Sequence, residues 1–121
     1  MHLLALDIGK KRTGVAFVDT DNDIPLPLDT IIENTVDGMI ERVAGIIDER
    51  GVDEVVIGLP LLPSGKEGEQ VLYVRMCAEK LEERGVAVVF MDERYTTSKM
   101  TSFDGDARAA CELLQTYLER R

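Results

Sequence analysis

Apolar positions along the chain follow two different periods. Residues 3–8 (LLALDI) form a short apolar run that takes in an acid, and residues 13–19 (TGVAFVD) form a second run rich in β-formers. Gly9-Lys10-Lys11-Arg12 between them reads as a turn, and residues 19–23 (DTDND) carry polar turn chemistry. Residues 26–32 (LPLDTII) are a third strand candidate. Pro25 and Pro27 suit a sheet edge, where a missing N–H costs no ladder bond. Three strands joined by short turns predict an antiparallel meander.

The period then lengthens. Val36, Met39, Ile40, Val43, Ile46 and Ile47 fall on one helical face. Asn34 or Thr35 can cap its start, and Gly51 closes its end. Residues 54–59 (EVVIGL) read as a buried strand, and Pro60 to Gly68 as a loop. A second helix is predicted from about Glu69 to Arg84, ended by Gly85, and a fifth strand over 86–91 (VAVVFM). A last helix runs from about Asp106 to Leu118, with Ala110, Leu113, Leu114, Tyr117 and Leu118 as its stripe.

The predicted element order is βββαβαβα. Strands that alternate with helices after a meander imply βαβ units, with strands four and five parallel to strand one. Right-handed crossovers give an α/β fold with a five-stranded mixed sheet in the order 3-2-1-4-5 and helices on its faces. Residues 1–121 are expected to form a single domain, a length sufficient to bury one core.

Composition narrows the function classes. At 45% apolar and 31% charged residues the chain is globular rather than disordered. No apolar run reaches the ~18–20 residues of a membrane span. The opening MHLLALDIGKKR matches neither a signal peptide nor a transit peptide. Cys77 and Cys111 lack metal-ligand spacing, and a single histidine, His2, rules out His-based zinc sites and Ser-His-Asp triads. A reducing cytoplasm is the expected compartment. A net charge of -9 argues against a nonspecific nucleic-acid coat, though not against a nucleic-acid enzyme with a locally basic site.

Most of the 23 acids fall in turns or on polar helix faces, but three places stand out. Asp7 sits in the strand expected at the sheet centre, where a buried carboxylate needs a partner or a metal. The alternative is an Asp at a strand end that hydrogen-bonds the Gly9 turn. Asp106 lies on the same helical face as Ala110, Leu113 and Tyr117, so it is expected to point inward, whereas Asp104 points elsewhere. Its alternative is an acid placed at a helix start by the macrodipole. Asp92-Glu93 follows the fifth strand. Two strands away from Asp7, or about 9–10 Å, the longer Glu93 is favoured to face the site while Asp92 ties down the next loop. A polar exit from a strand is the plainer reading.

Ligands in α/β folds bind at the carboxyl ends of strands. An all-oxygen cluster there suits Mg²⁺ or Mn²⁺, and two such ions roughly 3.5–4 Å apart can drive phosphodiester cleavage. Six of the 14 basic residues lie close to these acids: Lys10, Lys11 and Arg12 after Asp7, Arg94 and Lys99 after Glu93, and Arg108 after Asp106. They could guide a phosphate to the metals or form local salt bridges.

Four motifs in order resemble the YqgF/RuvX family and span nearly the whole chain. They are Leu6-Asp7-Ile8-Gly9-Lys10-Lys11-Arg12-Thr13-Gly14-Val15-Ala16; Ile57-Gly58-Leu59-Pro60-Leu61 with Gly65-Lys66-Glu67-Gly68; Asp92-Glu93-Arg94-Tyr95-Thr96-Thr97; and Asp106-Ala107-Arg108-Ala109-Ala110 with the helix that follows. The resemblance implies an RNase H-like fold and metal-dependent cleavage of nucleic acid, either at the 5′ end of pre-16S rRNA during ribosome biogenesis or at branched DNA such as a Holliday junction. It places catalytic acids on Asp7, on the Asp92-Glu93 pair and on Asp106. Metal ligands are expected among the same four acids, with Glu93 as ligand or water-orienting base. Phosphate contacts are expected from Lys10, Lys11, Arg12, Arg94, Thr96, Thr97 and Lys99.

Two positions depart from the family pattern. Ser64 stands where relatives usually have Asp, and residues 98–105 are short, with Lys99 as their sole basic residue. This favours as runner-up a non-catalytic RNase H-like protein that binds a ribosomal or protein partner. A nucleotide-binding domain is a third class, since Asp7-Ile8-Gly9 resembles a phosphate loop of actin-like ATPases, but those enclose ATP between two lobes. The oligomeric state is open, with a homodimer compatible with the pattern.

Overall fold

A computed structural model describes residues 1–61, 64, 68–94 and 104–120, with the backbone alone described at Glu93 and Arg94. Its elements are β1 (His2–Asp7), β2 (Arg12–Asp19), β3 (Leu26–Pro27), β4 (Ile31–Ile32), α1 (Val36–Arg50), β5 (Glu54–Leu61), α2 (Glu69–Glu83), β6 (Val88–Arg94) and α3 (Ala107–Arg120). The strands lie in the order β3-β2-β1-β5-β6, with β4 paired to β2 off that path. β1 is antiparallel to β2 and parallel to β5, and β5 is parallel to β6. The expected meander and βαβ crossovers are therefore both present.

Three strand expectations change. The predicted third strand splits into β3 and β4. Pro27 pairs with Ala16 and Ile31 with Thr13, so one more residue lies between the pairs on this side than on β2. That bulge interrupts the ladder. Leu26 and Pro27 are exposed at the end of the sheet, the edge setting expected for proline. β6 also starts later and runs further than predicted, so Asp92 and Glu93 belong to the strand and do not follow it. β5 continues to Leu61 and keeps pairing there, as Leu59 with Asp92, Pro60 with Glu93 and Leu61 with Arg94. β1 stops pairing with β5 at Ile57. Pro60 thus sits where β5 has one neighbour only, and its missing N–H is tolerated.

Local chemistry explains the helix ends. The Thr35 hydroxyl accepts the Gly38 amide, capping α1, and Gly51 ends it in the left-handed conformation at φ 61°. Lys80 of α2 lies 3.5 Å from Asp37 of α1, and Arg84 pairs with Glu41.

The sheet separates two apolar layers. On one face Leu4, Leu6, Ile57 and Leu59 pack with Met39, Ile40 and Val43 of α1 and with Val71, Val74 and Leu81 of α2. On the other, Leu3, Ala5, Ala16, Val18, Val56 and Met91 pack against Ala110, Leu113 and Leu114 of α3. The predicted stripes of α1 and α3 are the faces that pack. Among the described residues no helix is long and apolar enough to cross a membrane.

Candidate active site

The site forms where α3 begins, against the β1–β2 hairpin. Asp7 is the last residue of β1, half-buried, in the side-chain row of Leu3 and Ala5 that faces α3. Its carboxylate Oδ2 accepts the backbone N–H of Asp106 at 3.0 Å. The two acids lie 99 positions apart in sequence. The strand-end geometry and the pairing with a distant element both hold for Asp7.

Asp106 departs from its expected orientation. α3 starts one residue later, at Ala107, and Asp106 is exposed. Its Oδ1 accepts the Ala109 N–H at 2.7 Å, which is the capping bond of a helix N-terminus. The macrodipole alternative therefore describes the carboxylate, while the backbone amide of the same residue reaches inward to Asp7.

Asp104 does point elsewhere, to a specific target. Its Oδ1 accepts the amides of Lys11 at 3.3 Å and Arg12 at 3.2 Å, in the turn that leads into β2. Gly105 then donates its N–H to the Arg12 carbonyl at 2.9 Å. Three consecutive residues thus engage the hairpin one after another.

Glycine makes this approach feasible. A Cβ on Gly105 would stand 1.6 Å from the Asp7 carbonyl oxygen, and one on Gly14 would stand 1.9 Å from the Asp106 carbonyl oxygen. Only a bare Cα admits backbone so close. Asp104, Gly14 and Gly105 are not among the site residues expected from the sequence. A glycine inside the second apolar run was the available signal, since an isolated strand glycine marks a close backbone approach.

The other candidates are placed as follows. Lys10, Lys11 and Arg12 are exposed at the hairpin turn beside Asp7. Asp92 is exposed and, by alternation, stands in the row of Phe90, which packs on the α1–α2 side. The sheet therefore puts it in the opposite row from Asp7. At this open edge of the sheet, where β6 is the last strand, Asp92 and its α3-side neighbour Met91 border a small depression beside Glu112, Leu113 and Thr116 of α3. Glu93 of β6 pairs with Pro60 of β5. Arg108 is exposed and sits 3.7 Å from Glu112, a local pair one helical turn on. Ser64 is exposed. Thr96, Thr97 and Lys99 lie outside the described residues, as do the side chains of Glu93 and Arg94. Among the described residues no group of three acid, His or Cys side chains able to hold a metal assembles. Asp7 and Asp106 meet through the Asp106 backbone amide, while the Asp106 carboxylate caps the helix. Carboxylate oxygens are the donor type that a hard divalent cation takes.

Comparison with known proteins places this geometry. Residues 1–120 match the model of the RuvX family, described as "Holliday junction resolvase". A "Putative pre-16S rRNA nuclease" of Desulforudis audaxviator is 39% identical, over 100% of this chain and 96% of the relative. One of the same name from Sulfurihydrogenibium sp. is 34% identical, over 98% and 90%. Among solved structures, fowlpox virus resolvase with substrate Holliday junction DNA superposes with a TM-score of 0.58 at 14% identity, over 99% of this chain and 98% of that one. T. thermophilus RuvC with a Holliday junction substrate gives 0.54 at 16% identity, over 76% and 64%. These likenesses bear out the RNase H-like architecture that the family resemblance implies, with which the element order agrees. With a full-length family match and relatives this similar over nearly their whole length, the chain belongs to the RuvX family.

Proposed function

We propose that this protein is a divalent-metal-dependent endonuclease that cuts RNA at the 5′ end of pre-16S rRNA, as a single domain working in the cytoplasm. The observation that carries the reading is the meeting of Asp7 and Asp106 at the carboxyl end of the central strand, across 99 positions of sequence. Relatives named for pre-16S rRNA match nearly the full chain, which favours RNA over branched DNA as the substrate.

Asp7, Asp106 and Glu93 would hold Mg²⁺ or Mn²⁺, with Asp92 the weaker candidate from its row on the sheet. The chemistry such ions would supply when bound is activation of a water and stabilisation of the leaving oxygen. The capping bond from Ala109 and the bond from the Asp106 amide each fix one oxygen of the two carboxylates. Lys10, Lys11 and Arg12 stand beside Asp7 to receive the phosphate, and Arg94, Thr96, Thr97 and Lys99, in and just after the third motif of the sequence, are the further phosphate candidates. The local basic cluster lets a chain of net charge -9 approach a polyanion in one orientation.

The test is cleavage of labelled precursor rRNA and of a four-way DNA junction with Mn²⁺, wild type beside Asp7→Asn. Wild type is expected to cut the RNA, and Asp7→Asn to lose at least about 10²-fold in rate, the scale of a removed transition-state stabiliser. Mn²⁺ is expected to raise the melting temperature of wild type and not of the variant. Preferential cutting of the junction would replace the substrate assignment. A folded wild type that cuts neither nucleic acid would favour the non-catalytic reading, which the short 98–105 stretch motivates.

A further inference from the structure

The proposed metal pair depends on where residues 104–106 stop against the hairpin. Two contacts limit how close they come: Gly105 is already against the Asp7 carbonyl, and Gly14 against the Asp106 carbonyl. Closer approach is sterically barred. Something must equally prevent retreat, because the segment sits at the surface, with Asp104 and Asp106 both exposed. The bond from Gly105 to Arg12 is one restraint. The other is the Asp104 carboxylate, whose single oxygen takes two adjacent amides from the turn. Amide bonds to an ionised acceptor are stronger than neutral ones.

We infer that Asp104 is a positioning residue: its carboxylate clasps the Lys11 and Arg12 amides and thereby holds the Asp106 amide on Asp7. The inference rests on the metal reading of Asp7 and Asp106 for its functional consequence, but the clasp itself is a property of the protein alone. Asp104 reaches the site through backbone and not through substrate. Its role therefore depends on its being a hydrogen-bond acceptor of the right length, with its negative charge secondary. That separates it from a second idea, in which the carboxylate occupies an anion seat beside Lys10, Lys11 and Arg12 that a strand phosphate would take over.

The experiment compares Asp104→Ala and Asp104→Asn with wild type in three measurements. The first is amide hydrogen exchange at Gly105 and Asp106 in metal-free protein. Asp104→Ala is expected to speed exchange at both about tenfold, on the scale of one to two lost hydrogen bonds, while Ala5 inside β1 stays unchanged. The second is Mn²⁺ titration by thermal shift, in which the midpoint for Asp104→Ala is expected to rise about tenfold. The third is RNA cleavage, in which kcat is expected to fall with KM held within about twofold. Asp104→Asn keeps a carbonyl oxygen for the same amides and is expected to restore all three to within about threefold.

Exchange at wild-type rates in Asp104→Ala would overturn the clasp, and so would an Asn variant no better than Ala. A fall in KM for Asp104→Ala would overturn it in favour of the anion seat. A wild type that neither responds to Mn²⁺ nor cleaves RNA, with exchange still accelerated in Asp104→Ala, would uphold the clasp and overturn the metal reading beneath it.

Discussion

The two faces of the sheet are built on different principles. The α1–α2 face is filled by large branched side chains, with Leu4, Leu6, Ile57 and Leu81 fully buried. The α3 face uses small residues where the helix begins: Ala5, Ala16 and Ala110 are buried, and Gly14 stands with them on β2. Large side chains hold a helix at a distance and yield stability through buried area. Small ones let backbone meet backbone, which is how the Asp106 amide comes to the Asp7 carboxylate. The first face holds the fold together, and the second sets positions to within a hydrogen bond. Stability and site geometry should therefore be separable by mutation.

The largest stability loss is expected from the bulky face. Leu4→Ala should cost about 2–5 kcal/mol in denaturant unfolding, yet leave the Mn²⁺-induced thermal shift of the folded fraction intact. Gly14→Ala should reverse that pattern. A single methyl forced against the Asp106 carbonyl should cost about 1–3 kcal/mol and abolish the metal shift, because α3 must back away from Asp7. If the two variants lose metal response in parallel, the faces do not differ as argued.

Smaller changes sharpen the contrast within α3 itself. At its far end the Tyr117 hydroxyl donates to Glu54 Oε1 at 2.7 Å, tying the helix to the start of β5. Tyr117→Phe should cost about 1 kcal/mol and leave metal response and kcat unchanged, since that bond lies at the opposite end from the site. The two thiols report on the faces without mutation. Burial pushes the Cys77 thiol, on the α1–α2 side, up to about 11, and raises Cys111 as well. A thiol raised on folding contributes stability below its unfolded pKa, and that contribution fades as pH climbs toward 11. Alkylation near pH 8 should label half-buried Cys111 first and Cys77 only on unfolding.

Much of the fold was legible because period and punctuation agreed. Thr35, Gly51 and the α1 and α3 stripes each mark an element that formed with those residues in those roles. The ends of strands were harder to read. Where β6 stops depends on how far β5 runs, and Pro60 reads as a breaker until a sheet edge is known to accommodate it. At the candidate site, Asp7 stands out in the sequence because an acid interrupts an apolar run. Asp104 could not: a carboxylate among other acids carries no mark of the two amides it will meet, which belong to a turn more than ninety positions earlier. Asp106 was legible as a residue but not as a geometry, because its amide rather than its carboxylate makes the long-range contact.

The order of synthesis gives that long-range contact a further meaning. A ribosome adding about 5–20 residues per second finishes the β1–β2 hairpin several seconds before it reaches Asp106. Throughout that interval Asp7 is present without its partner amide. The pairing therefore comes into being only after Asp106, the residue just before α3, has emerged and docked. Any chain interrupted before then carries the first acid of the site and none of the pairing that completes it.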